Sequence, residues 1–267
     1  MGMGRHTGLR RLAYAIGVAA LFSALAGCGA APGLDVPAGT RSPTSLAPTT
    51  SSAPTTTSAP ITSSTTTTMA LLQEGDKGPL VLDLQERLIS IGYWLGTPDG
   101  VFGDSTQQAV FAIQKAAGIQ VDGMVGPKTQ AALNQGVRPS PRSTSGYVVE
   151  VNLRMNLVMF VDDGHLEYTL NTSTGGGYTF TVDGQRAVAA TPVGKFHVIW
   201  EKDGLVANSL GELWRPKFFY SGFAIHGDSF VPPYPASHGC VRVSNEAIDW
   251  IWAQKLAPVG TAVWTYW

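Results

Sequence analysis

Residues 224–240 read AIHGDSFVPPYPASHGC, and they decide how the C-terminal half of the chain folds. An apolar run leads into His226, as at the end of a β-strand. Pro232, Pro233 and Pro235 then stiffen the connection, since each fixes φ and lacks a backbone donor. Cys240 opens the segment before a helix predicted over residues 244–255, with Ser244 as its cap and Glu246 near its positive end. A rigid turn of this kind returns the chain on itself and brings His226 to Cys240.

That pairing has chemical content. Nucleophilic catalysis by cysteine needs a thiolate, a base that generates it, and donors for the oxyanion formed on attack. Gly239 allows close approach of the backbone and leaves the amides near Gly239 and Cys240 able to face a developing negative charge. The chain has only two cysteines in 267 residues, Cys28 and Cys240. If Cys28 is used elsewhere, Cys240 is an unpaired thiol in a polar stretch, which fits a reactive group better than a small buried hydrophobe.

The use of Cys28 follows from the N-terminus. Arg5, Arg10 and Arg11 precede an uncharged apolar run, Leu12–Ala26, too short to span a bilayer as a stable helix. This is the pattern of a signal peptide. It ends in Leu25-Ala26-Gly27-Cys28, which resembles a bacterial lipobox; that resemblance implies acylation of Cys28 and a lipid anchor in the membrane. Residues 1–27 are thus expected to be a lipoprotein signal peptide. Residues 28–70 are expected to be a disordered stalk, because Thr40–Thr68 is almost wholly Thr, Ser, Pro and Ala and lacks the apolar residues that offset ordering entropy.

Residues 71–137 form a separate unit with an internal repeat. DGVFGDSTQQAV (99–110) and DGMVGPKTQAAL (122–133) align without a gap. Each has an Asp-Gly turn, two apolar residues, a glycine and a helix start, with Asp104 or Ser105 as one cap and Pro127 in the first turn of the other. Val81, Leu84, Leu88 and Ile91 recur at helical spacing, so three short helices joined by Gly-rich turns are predicted. With LQERLISIGYW upstream, these segments resemble the small peptidoglycan-binding domain, and the resemblance implies glycan binding between the helices.

A linker over 138–146, rich in Pro and Ser, leads to a mainly-β unit, residues 147–267. YVVEVN, then NLVMFV and LEYTLNT around an Asp162-Asp163-Gly164 turn, read as strands and a hairpin. KFHVIW, FFYSGFAIHG and AVWTYW read as further strands, giving a β-sandwich or barrel with one short helix. Here His226-Gly227, the run Ser237-His238-Gly239-Cys240-Val241-Arg242, TPVGKF (191–196) and the opening VNLRMNLVMFVDDGHLEYTLNTSTG together resemble the L,D-transpeptidase (YkuD-type) catalytic domain. The whole is therefore expected to be multidomain: a three-helix all-α wall-binding module followed by a mainly-β catalytic domain.

The resemblance implies Cys240 as nucleophile, His226 as general base, and amides around Gly239 and Cys240 as the oxyanion hole. Gly227, Ser237 and His238 would shape the site, and Arg242 would grip a substrate carboxylate. The implied reaction cleaves the amide between an L centre and terminal D-Ala of a peptidoglycan tetrapeptide stem, then passes the acyl group to an amine of a neighbouring stem. With water as acceptor the same site is an L,D-carboxypeptidase. No cofactor is needed.

Two other readings compete. His226, His238 and Cys240 are all zinc donor types, but no HExxH occurs and His238 and Cys240 are hard to aim at one ion. The chain could also be a non-catalytic tether between lipid and wall; the intact His/Cys pair argues against it. Trp214, Trp250, Trp252, Trp264 and Trp267 are read as core rather than sugar platforms, and His165 and His197 as solvated or satisfied. Net charge is −1, so nucleic acid is not an expected partner.

Overall fold

In the computed structural model residues 71–267 are described; the expected signal peptide and stalk, with Cys28, lie outside the described residues. Three helices come first: α1 (Pro79–Ser90), α2 (Asp104–Ala117) and α3 (Pro127–Gln135). Proline occupies a first-turn position of α1 and α3, where a missing N–H is harmless. At α2 the expected cap shifts: Gly103 is the N-cap, without a side-chain bond, and Asp104 is the first helical residue. Its carboxylate instead favours the positive helix end from within the first turn. Val81, Leu84, Leu88, Phe102, Val110, Ile113 and Leu133 fill the module's core.

The internal repeat has a physical basis that the pattern alone did not disclose. Gln85 of α1 is buried, and its amide donates to Asp99 Oδ1, Val101 O and Thr106 Oγ1 at 2.9–3.0 Å. Its oxygen accepts the Asp99 and Gly100 amides at 2.9 and 2.8 Å. Gln114 of α2 does the same one unit later, donating to Asp122 Oδ1, Met124 O and Thr129 Oγ1 and accepting from Asp122 and Gly123. Each glutamine clamps the Asp-Gly turn that follows to the start of the next helix.

The rest is β-rich. In chain order come β1 (Tyr147–Asn152), β2 (Leu157–Asp162), β3 (His165–Asn171), β4 (Thr179–Val182), β5 (Gln185–Val188), β6 (Gly194–His197), β7 (Trp200–Glu201), β8 (Leu205–Asn208), β9 (Gly211–Tyr220), β10 (Phe223–Asp228), β11 (Val241–Ser244), α4 (Asn245–Ala253) and β12 (Ala262–Tyr266). One sheet runs β3-β2-β1-β12-β6 and a second β11-β10-β9-β7, with β8 also on β9; β4 and β5 form a separate hairpin. Val149, Val151, Val158, Phe160 and Val263 from the first sheet share a core with Phe219, Ile225, Val241 and Val243 from the second, closed by Ile248 and Ile251 of α4.

Two segments read as single strands are divided. FFYSGFAIHG turns at Ser221, whose φ is 46°, and becomes the β9–β10 hairpin. KFHVIW splits between β6 in the first sheet and β7 in the second. The helix α4 starts as expected, with Ser244 Oγ accepting from the Ala247 amide at 3.2 Å, but ends at Ala253. Trp250 packs against Trp94, Phe160 and Tyr168, whereas Trp267 is 63% exposed and is not core.

The helices and sheets belong to one compact unit. Tyr93 bridges to Thr169 of β3, with Trp94 N donating to Thr169 O and Thr169 N to Gly92 O. Glu150 receives the Arg142 and Ser143 amides, Ser143 Oγ and Tyr266 Oη. Burial alone would raise its pKa, but these donors outweigh it and hold the carboxyl low, so the linker is pinned to a charged β1 residue. Because each clamp leaves two amide donors and several acceptors unpaired when lost, Gln85→Leu and Gln114→Leu should each destabilise the fold by roughly 2–4 kcal/mol. Chemical denaturation checks this, and Gln135→Leu, exposed at the end of α3, should be near neutral.

Candidate active site

The site is built on a parallel strand pair. β10 and β11 run side by side with Ile225 opposite Val241, His226 opposite Arg242 and Gly227 opposite Val243. His226 is therefore fixed by the sheet and is only 3% exposed. Its Nδ1 lies 2.8 Å from Gly227 O. A carbonyl only accepts, so Nδ1 carries the proton and Nε2 presents its lone pair. Gly227 has no room for a side chain: a Cβ there would stand 2.6 Å from Ile248 Cγ2 and 2.7 Å from Asn245 Oδ1. The glycine lets α4 press onto the strand that carries the histidine.

Cys240 precedes β11 and is partly buried, with Sγ 3.8 Å from Gly222 O at the β9–β10 turn. His226, Ser237, His238, Cys240 and Arg242 line one pocket of about 220 Å³ with Gly222 and Phe223. Burial raises the Cys240 pKa, against smaller opposing effects of the Ala224 backbone and Arg242. Burial also lowers that of His226, outweighing the Gly227 carbonyl and Asp228. Both groups are accordingly neutral at neutral pH: a thiol and an imidazole share the pocket, rather than a preformed ion pair.

The turn before the cysteine is a closed hydrogen-bonded knot. Ser237 Oγ donates to Cys240 O at 2.6 Å and accepts from the Gly239 amide at 3.0 Å. Thr191 Oγ1 donates to Gly239 O at 2.8 Å. Gly239 has φ 136°, and a Cβ would meet Phe223 Cε1 at 2.5 Å and Ala190 O at 2.8 Å, so only glycine fits. This narrows the expected oxyanion hole. The Gly239 N–H is committed to Ser237, leaving the Cys240 amide as the free donor among those two.

The remaining expected residues have distinct surroundings. His238 packs in T-shaped contact with Tyr178 and Phe180, ring centroids 5.6 and 4.7 Å away, beside the β4–β5 hairpin. Arg242 Nε is 3.1 Å from Asp228 Oδ2, an ion pair without straight hydrogen-bond geometry. Asp228, Thr191, Tyr178 and Phe180 were not singled out from the sequence. Thr191 could have been, since it opens the quoted TPVGKF segment. His165 and His197 are exposed at strand ends, away from the pocket lining. Among the described residues no three His, Cys, Asp or Glu side chains are grouped as for a metal ion.

With the geometry in view, comparison with known proteins is informative. A peptidoglycan binding domain family matches residues 77–133, and the L,D-transpeptidase catalytic domain family matches residues 146–264. The crystal structure of an L,D-transpeptidase from Xylanimonas cellulosilytica is 50% identical, covers 73% of this chain and 97% of that one, and superposes with a TM-score of 0.71. The protein belongs to the L,D-transpeptidase family.

Curated relatives share less. An N-acetylmuramoyl-L-alanine amidase of Bacillus licheniformis is 42% identical over 83 residues, 30% of this chain and 23% of the relative. A spore cortex-lytic enzyme of Halalkalibacterium halodurans is 44% identical over 75 residues, 27% of this chain and 23% of the relative. The chain thus spans less than a quarter of these relatives. The first matched family is peptidoglycan-binding by description, and together with the L,D-transpeptidase domain this implies an extracytoplasmic location.

A neutral resting pair makes a prediction. The rate of Cys240 alkylation by iodoacetamide should rise with pH through a midpoint above the ordinary thiol value of about 8.5. A rate already at its plateau by pH 7 would instead indicate a thiolate–imidazolium pair.

Proposed function

We propose that this protein is a cell-wall L,D-transpeptidase with Cys240 as nucleophile and His226 as general base. The observation that carries this reading is the tautomer of His226: Nδ1–H is held by Gly227 O, so the Nε2 lone pair is available in the pocket that contains Cys240 Sγ. Substrate arrives as a peptidoglycan tetrapeptide stem, with the amide between its L centre and terminal D-Ala in the pocket.

Nε2 takes the thiol proton as Sγ attacks the carbonyl carbon. The tetrahedral oxyanion accepts from the Cys240 amide. On collapse the C–N bond breaks, the imidazolium returns its proton to the departing D-Ala amine, and a thioester remains. A neutral amine of a neighbouring stem then attacks the thioester; His226 removes its proton, the new amide forms, and Sγ leaves and is reprotonated. The thioester conserves the acyl potential, so no nucleotide is consumed.

Ser237 and Gly239 hold the turn, Gly227 seats the histidine and His238 walls the pocket. Arg242 supplies positive charge for a substrate carboxylate, with Asp228 fixing its side chain. In this reading the helical module holds glycan, residues 138–146 link the two parts, and residues 1–70 supply a signal peptide, a lipid anchor at Cys28 and a stalk. The protein would then stand on the outer face of the cytoplasmic membrane, facing the wall.

The test uses a soluble form beginning at residue 71, incubated with a disaccharide-tetrapeptide beside its Cys240→Ala variant. Mass spectrometry should show a dimer lacking one D-Ala, reduced at least 10³-fold in the variant. Cys240-dependent tripeptide alone would indicate L,D-carboxypeptidase activity, and no Cys240-dependent product would leave a non-catalytic wall tether.

A further inference from the structure

The twelve residues between β10 and β11, 229–240, join the histidine strand to the cysteine. Nearly all their anchors lie on the cysteine side. Ser173 Oγ donates to Tyr234 O at 2.7 Å. The Ala236 and Ser237 amides donate to Thr174 O, and Ser237 O accepts from Gly176 N. On the histidine side Phe230 N donates back to Asp228 Oδ1 at 2.9 Å, and Val231 O is reached from the helical module, with Gln108 Nε2 of α2 donating to it at 3.2 Å.

Gln108 also reaches Asn171 at the end of β3. Asn171 Nδ2 donates to Gln108 Oε1 at 2.6 Å and leans toward Val231 O at 3.5 Å. The opposite end of the same amide, Asn171 Oδ1, accepts from Lys115 Nζ at 2.5 Å. Gln108 and Lys115 are two helical turns apart and share one face of α2. Together they fix both ends of Asn171.

Lys115 does more than hold Asn171. Its ammonium donates to Asn156 O and Thr172 O as well, both at 3.0 Å, so three N–H groups meet three acceptors. Thr172 Oγ1 in turn donates to Arg242 O at 2.6 Å, and Ser173 pairs through both backbone groups with Arg242, two residues beyond the nucleophile. The lysine is 9% exposed and has no carboxylate partner among the described residues; burial lowers its pKa to about 7. A buried lysine held by neutral acceptors alone is a costly feature for a surface that merely tethers two parts.

We propose that Gln108 and Lys115, on the helical module, are positioning residues for the reaction at Cys240, acting through Asn171, the Val231 carbonyl and the Thr172–Ser173 segment. The inference rests on Cys240 being the nucleophile. The module then is part of the scaffold of the catalytic loop, and its contribution extends to substrates too small to need wall binding. Displacing a reacting group by an ångström is enough to cost roughly 10²-fold in rate.

The test compares Gln108→Leu, Lys115→Met and the double variant in the 71–267 protein. The control is Gln107→Ala, whose side chain on the same helix bonds only Glu74 of the module. Two readouts are taken well below each melting temperature: turnover of the soluble disaccharide-tetrapeptide, and the pH profile of Cys240 alkylation. Expected are a ten- to hundredfold fall in kcat with KM within about twofold, a shifted alkylation midpoint, and a double variant whose loss is smaller than the product of the two single losses, since both share Asn171.

Unchanged kcat and alkylation profile in folded Gln108→Leu and Lys115→Met would overturn the proposal, as would equal losses in Gln107→Ala. If the wild type shows no Cys240-dependent turnover, the catalytic reading falls. The alkylation profiles alone then decide whether α2 positions the thiol.

Discussion

Everything at this site depends on pairing β10 and β11 in parallel. Two parallel neighbours cannot be joined by a tight turn; the chain must cross over, and a dozen residues is near the minimum for doing so. Here the crossover is twelve residues without helix or strand, so its shape must come from proline, from glycine and from bonds to the rest of the protein. The reward is placement: His226 sits in β10, Cys240 leads directly into β11, and the register that opposes His226 to Arg242 holds both at one pocket.

The same packing that places the two groups also sets their protonation. Burial disfavours charge on either, raising the thiol and lowering the imidazole. In the proposed reaction the proton would move only as a substrate carbonyl accepts the sulfur, with the charge passing to an oxyanion beside the Cys240 amide. A buried neutral thiol is also less open to adventitious oxidation or alkylation than a standing thiolate, which suits an enzyme working outside the cytoplasm.

Much of this was legible in the sequence because the signals are local. Proline positions, Asp-Gly turns and 3.6-residue periodicity located all three module helices, and Ser244 announced α4. The SHGC run named the nucleophile candidate, and the strand before it the base candidate. What was not legible depends on contacts between distant segments. Whether FFYSGFAIHG is one strand or two is decided at Ser221, whose positive φ no periodicity reports. That the Gly239 amide is taken by Ser237 depends on one hydroxyl rotamer. Gln108 and Lys115 read as ordinary polar residues of an amphipathic helix, and only the fold brings them to Asn171. Asp228 acquires meaning from the strand register that sets it beside Arg242.

The central claim is that acyl transfer passes through Cys240 Sγ, and the most direct test is to catch that bond. The protein would be quenched in acid shortly after mixing with the tetrapeptide stem, and its intact mass and peptide map recorded. The account predicts a transient adduct equal to the substrate less D-Ala, located on the Cys240 peptide, released by hydroxylamine and absent in Cys240→Ala. Turnover with no adduct on that peptide, or with the adduct surviving in Cys240→Ala, would contradict it.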